Sequence, residues 1–232
     1  GTGGGLLEKE LLTNRVIFNS SSQDKFRKKI GLQLSREGEL YVSLFHYDDA
    51  PIKDLLLAFV ISDIPICIFI PINLVSHAIR IYFGADSLRI GNILQSGNLR
   101  VCIIPFLEQE EYDRLLWACD INFVRGEDSF LRAQWSGRTF VWNIYPQTES
   151  AHKLKLEAFL DLYTKKMPQE MAKAVFYFWQ AWNGNGQLLN SWPNFVGQIA
   201  RLEKYNNKWI EQILSIGDLT SNLIEFSRKD RI

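Results

Sequence analysis

Arg125-Gly126-Glu127-Asp128-Ser129 sets a cation, a glycine, two carboxylates and a hydroxyl side by side, between the apolar stretches Ile121–Val124 and Phe130–Trp135. A glycine there suits a sharp bend from a strand into a helix. A helix start offers unpaired backbone N–H groups and a partial positive charge. Those amides, with the Ser129 hydroxyl, can hold a phosphate oxygen. Glu127 and Asp128 would repel a diphosphate but suit ribose or sugar hydroxyls, which need acceptors, and Arg125 offsets their charge. The same residues are also ordinary caps, since Asp and Ser favour the N-cap and Glu the first turn.

Similar chemistry stands at other strand exits. Phe45, His46, Tyr47 and Asp48 follow one apolar run, and Phe106, Gln109 and Tyr112 follow another. Tyr145-Pro146-Gln147 closes a third. Aromatic rings at such positions can stack on a nucleobase and a glutamine can read its edge. They can equally serve as hydrophobic lids. His46 is a candidate base, although an isolated histidine at a strand end is more often structural. His77 and His152 fall on helical stretches without an evident partner. No Cys or His spacing suggests a metal site, so none is expected.

The elements that must position these groups alternate. Strands are predicted at Leu40–Tyr47, Pro65–Pro71, Leu99–Pro105, Ile121–Val124 and Thr139–Ile144. Helices are predicted over Asp24–Leu34, Ile52–Ile61, Asn73–Phe83, Glu108–Cys119 and Glu127–Trp135, and Gly84–Asn98 reads as loop. Short apolar strands joined by helices argue for an α/β fold with a doubly wound parallel sheet. Ligands bind such sheets beyond the carboxyl ends of the strands. From Ser150 to about Ile224 the pattern is helical, broken at Asn183–Gly186. The aromatics between Glu170 and Trp182 fit either core packing or an exposed, association-prone face.

Gly1–Gly5 follows no strand, so it reads as flexible linker rather than a phosphate loop. The chain divides into a linker over residues 1–23, a nucleotide-binding domain over 24–149 and a helical region over 150–232. Its opening, without Met, suggests a piece of a longer protein.

The 232 residues are 47% hydrophobic and 13% aromatic, enough for a substantial core. Lys plus Arg equals Asp plus Glu at 26 each, so net charge argues for neither nucleic acid nor an anionic membrane. The apolar runs are too short to span a bilayer. Cys67, Cys102 and Cys119 are widely spaced, as expected of buried thiols in a reducing cytoplasm.

The stretch IPFLEQEEYDRLLWACDINFVRGEDSFLRAQWSGRTFVWNIYPQ, Ile104 to Gln147, strongly resembles the bacterial protein-arginine rhamnosyltransferases that modify translation elongation factor P. SLFHYD at Ser43–Asp48 and the opening GTGGGLL are also similar to that family. The resemblance implies a Rossmann-like half of a GT-B glycosyltransferase with a helical tail. The donor implied is dTDP-β-L-rhamnose, the acceptor an arginine of elongation factor P, and the transfer inverting and cytoplasmic. Carried over by motif, Phe106 and Tyr112 flank the thymine and Gln109 reads its edge. Phe45 and Tyr47 line the nucleotide and sugar pocket. Glu127, Asp128 and Ser129 hold ribose or diphosphate, with Arg125 and Tyr145 on the diphosphate side. Glu127 is the first choice for a residue whose loss abolishes donor use. The catalytic aspartates belong to the family's amino-terminal domain and have no counterpart in Asp48 or Asp49. The expectation is therefore a donor-binding half, inactive without its partner domain, whose final helices would pack on that domain.

A non-catalytic nucleotide-binding or protein-interaction module with this fold is the alternative. A nicotinamide dehydrogenase is disfavoured, because no G-x-G-x-x-G follows a strand with an acid suitably downstream.

Overall fold

The computed structural model describes residues 9–32, 34–147 and 151–229. Among these residues six strands form one sheet: β1 (Leu40–Leu44), β2 (Ile66–Pro71), β3 (Ile93–Ser96), β4 (Leu99–Ile104), β5 (Ile121–Arg125) and β6 (Thr139–Asn143). Their spatial order is β3-β4-β2-β1-β5-β6. All neighbours are parallel except β3 and β4. With β3 set aside, the parallel strands run third-second-first-fourth-fifth in chain order, the doubly wound Rossmann arrangement. The strand order reverses between the parallel neighbours β1 and β5, where Val42 lies opposite Ile121. Every residue of β2, β4 and β6 is buried, as strands covered on both faces are, and the one charge among them, Arg100 in β4, is paired with Glu39.

The covering helices are α1 (Lys9–Ile17), α2 (Ser20–Lys29), α3 (Ile52–Val60), α4 (His77–Phe83), α5 (Gln109–Ala118) and α6 (Glu127–Ser136). The carboxyl-terminal helices are α7 (Ala151–Thr164), α8 (Gln169–Trp182), α9 (Leu188–Val196), α10 (Ile199–Ile216) and α11 (Leu219–Lys229). The break expected at Asn183–Gly186 separates α8 from α9. The aromatics of α8 mostly serve the core. Phe178 stacks on Phe195 at 4.2 Å and Trp182 meets Phe123 at 4.7 Å, while Tyr177 is exposed.

The structure corrects the sequence reading at three places. Residues 9–23, expected as linker, carry α1 and the start of α2. Leu11 packs with Trp117, Trp135 and Ile210, and Arg15 Nε donates to the Ser136 carbonyl at 2.7 Å. Asn19 caps α2, its Oδ1 accepting from Ser22 N at 3.0 Å, so this helix begins at Ser20, ahead of the expected Asp24. Gly1–Gly5 lies outside the described residues.

The Gly84–Asn98 loop contains β3, an edge strand whose residues alternate between exposed and half-buried. It has no continuous apolar run to reveal it, but Gly97-Asn98 is the two-residue turn that returns it into β4. Gly97 has φ 54°, and a Cβ there would come within 3.2 Å of the Val60 carbonyl oxygen. The helix expected over Asn73–Phe83 is interrupted. A single 3-10 turn, Ile72–Leu74, precedes extended Val75 and Ser76, and α4 begins only at His77.

Candidate functional site

The carboxyl ends of β1, β2, β4 and β5 surround a cavity of about 440 Å³, at the position the strand order marks for a ligand. Phe45 and Tyr47 enter it from β1, Phe106 and Leu107 from β4, and Arg125, Gly126 and Ser129 from the β5–α6 turn. Pro71, Asn73 and Leu74 complete the wall from β2. Those three were missed by sequence reasoning, although Pro65–Pro71 is itself a buried strand whose exit carries an amide.

The β5–α6 turn depends on Gly126, at φ 69° and ψ 179°. Only glycine adopts that backbone readily. Trp142 Nε1 donates to the Gly126 carbonyl at 3.1 Å, fixing the bend from β6. Gly126 and Ser129 both line the cavity, so the start of α6 borders it. The two carboxylates face cations of the protein instead. Glu127 Oε1 accepts from Lys155 Nζ at 2.6 Å, and Asp128 Oδ2 from Arg132 Nε at 3.1 Å. Arg132, itself buried, also grips both oxygens of Asp113.

Arg125 is held from two sides. Its Nη1 donates to the His46 carbonyl at 2.8 Å, and its guanidinium lies 5.2 Å from the centre of the Tyr47 ring. The Tyr47 amide donates to Asn143 Oδ1 at 2.8 Å. Asn143 was not singled out from the sequence, yet an amide buried in an otherwise apolar strand needs partners, and that was the available signal. Tyr145, largely exposed at the rim, meets Tyr47 edge-on at 5.3 Å.

Tyr112 supports Phe45 from below, ring to ring at 4.9 Å. Burial pushes its phenol well up, and its hydroxyl stands beside Ser129 without a hydrogen bond of ordinary geometry. Gln109 stands outside the cavity wall. Its carboxamide lies against the Arg132 guanidinium.

His46 is buried and outside the cavity lining. Its Nδ1 lies 2.8 Å from the Tyr47 carbonyl, so in the neutral ring Nδ1 carries the proton. Burial is the main cause that holds its pKa below the ordinary histidine value, and Arg125 adds to it. The ring is a structural prop rather than an exposed base. His152 Nδ1 accepts from the Gln147 amide at 3.0 Å, and His77 opens α4.

The family model for the elongation-factor-P (EF-P) rhamnosyltransferase EarP matches residues 1–228. The chain belongs to the EarP family. It is 37% identical over 227 residues to the protein-arginine rhamnosyltransferase of Pseudomonas aeruginosa, covering 97% of this chain and 60% of that protein. The Pseudomonas putida enzyme is 35% identical, again with 60% of its length covered. The chain thus spans about 60% of the length of these curated relatives. A solved structure described as the structural basis for EarP-mediated arginine glycosylation of translation elongation factor EF-P superposes with a TM-score of 0.86 at 33% identity. That match covers 97% of this chain and 73% of that one. The family assignment and the mostly parallel α/β fold agree with the resemblance drawn from Ile104–Gln147.

Proposed function

We propose that this chain forms the donor-binding portion of a protein-arginine rhamnosyltransferase, taking dTDP-β-L-rhamnose and serving transfer to an arginine of elongation factor P in the cytoplasm. The observation that carries the reading is the aromatic-walled cavity opening onto the glycine bend before α6, in a chain of this family. In this reading Phe106, more than half exposed, covers the base, and Phe45, braced by Tyr112, forms the opposite wall. The diphosphate lies against the first amides of α6 and the Ser129 hydroxyl, with Arg125 offsetting its charge. Glu127 and Asp128 accept hydroxyls of ribose or sugar. For Gln109 to read the base edge, its carboxamide has to release Arg132.

In an inverting transfer the acceptor nitrogen attacks the anomeric carbon as the diphosphate leaves. Arginine is a weak nucleophile because its guanidinium stays protonated near neutrality. Carboxylates must orient it and take a proton. Here they belong to a further domain, and this portion stabilises the leaving diphosphate through amides and Arg125, without a metal. Leu223, Ile224 and Phe226 on α11 are about half exposed and offer that domain an apolar face.

The test is calorimetric titration with dTDP, dTDP-β-L-rhamnose and UDP-glucose, on the native chain and on Glu127→Ala. Binding selective for the thymidine ligands and weakened in the variant supports a donor site. A folded chain that binds none of them, or all alike, overturns it.

A further inference from the structure

A groove of about 790 Å³ runs between α10 and the α7–α8 turn. Among the described residues Lys166, Arg201, Lys204 and Lys208 line it, against a single carboxylate, Glu211. The whole chain has no net charge, so this excess of cations is local. Lys155 and Arg138, elsewhere on the surface, each meet a glutamate. None of the four groove cations is paired with a carboxylate among the described residues; Arg201 meets only the Gln198 amide.

The floor is carbon. Trp209 turns its Nε1 inward to Gln134 Oε1 at 3.1 Å, and Tyr205 donates its hydroxyl to the Tyr163 carbonyl at 2.6 Å. Neither ring presents a polar atom to the groove. Trp209 is 5% exposed and Tyr205 half-buried, so neither ring offers a fully open face on which a base could stack. A single-stranded nucleic acid is therefore poorly served, whereas an apolar side chain flanked by carboxylates fits both floor and rim.

Arg201, Lys204 and Lys208 stand at i, i+3 and i+7 on α10, a stripe about 10 Å long at the rise of an α-helix. The matching pattern is a helix with carboxylates at the same spacing and apolar residues beside them. Asn206 Nδ2 donates to the Arg138 carbonyl at 2.9 Å, immediately before β6 begins, which fixes α10 at the amino end of the sheet. The cavity described above lies at the carboxyl end, so both can be occupied together.

We propose that this groove docks an acidic amphipathic helix of a partner protein. The inference stands independently of the donor reading. The probe is a fluorescein-labelled peptide of about four helical turns, with Glu at i, i+3 and i+7 and Leu on the adjoining positions. Its comparators are a scrambled peptide of the same composition and an oligouridylate, and anisotropy is followed with the native chain and with K204E/K208E. The designed helix is expected to bind about tenfold more tightly than the scramble, and the double variant to lose about tenfold. Equal binding of helix and scramble, preference for the oligouridylate, absence of binding, or indifference to the charge reversal would each overturn the proposal. The far-ultraviolet circular dichroism of K204E/K208E must match the native chain, and R201E/K166E supplies a second variant if it does not.

Discussion

Arg125 Nη1 donates to the backbone carbonyl of His46 at 2.8 Å, tying the exit of β5 to the exit of β1 across the point where the strand order reverses. The same guanidinium rests over Tyr47. A lysine would keep the charge but not the planar fork that makes both contacts. Arg125→Lys is expected to weaken dTDP binding about tenfold, ~1.4 kcal/mol, by titration calorimetry. Its unfolding free energy should fall by only ~1 kcal/mol, the net worth of one such hydrogen bond. Undiminished affinity would remove Arg125 from the diphosphate side.

Glu127 separates binding from capping. Its ion pair with Lys155 joins side chains that are 65% and 50% exposed. Such a pair stabilises by less than ~1 kcal/mol. Glu127→Gln should therefore leave the urea midpoint nearly unchanged while weakening dTDP-β-L-rhamnose binding about tenfold or more. A variant that loses stability but keeps its affinity would make Glu127 a cap.

His46 gives stability a pH dependence. Its folded-state pKa is lowered, chiefly by burial and then by Arg125, while Asp48 and the Tyr47 and Leu74 backbone act the other way. As pH falls below the ordinary histidine value the unfolded chain takes up a proton that the folded chain refuses. Stability is therefore full above that value and declines until the folded pKa is reached. Unfolding free energies at about pH 7.5 and about pH 5.5 should differ more for the native chain than for His46→Asn, whose amide can still donate to the Tyr47 carbonyl. An equal drop in both proteins would place the titration elsewhere.

Parallel strands buried on both faces were legible as unbroken apolar runs, and their exits led to Phe45, Tyr47, Phe106 and the Gly126 turn. The edge strand Ile93–Ser96 was not legible, because half-exposed alternation over so short a stretch resembles loop. Helix Lys9–Ile17 was scarcely legible, for a different reason. Leu11, its anchor, is buried by Trp117, Trp135 and Ile210, all distant in sequence. Within the site, residue types were legible and orientations were not. That Glu127 turns to Lys155, or Gln109 to Arg132, depends on which helices pack side by side, which local spacing does not encode.

Gly126 tests whether the bend itself makes the site. A Cβ at this position would lie 3.6 Å from the Tyr47 hydroxyl, an ordinary contact, so space does not forbid a side chain. Its backbone does, at φ 69° and ψ 179°, a region that costs other residues ~1–3 kcal/mol. Gly126→Ala should lose about that much in urea unfolding. Relief of the strain would rotate the first amides of α6 away from the cavity, so dTDP affinity should fall with it. Gly38→Ala is the control, since Gly38 also has positive φ, at 68°, and nothing within 4 Å of its added Cβ. It should lose ~1–2 kcal/mol of stability and none of its affinity. If both variants kept full affinity, the amides after Gly126 would not be ligands of the diphosphate.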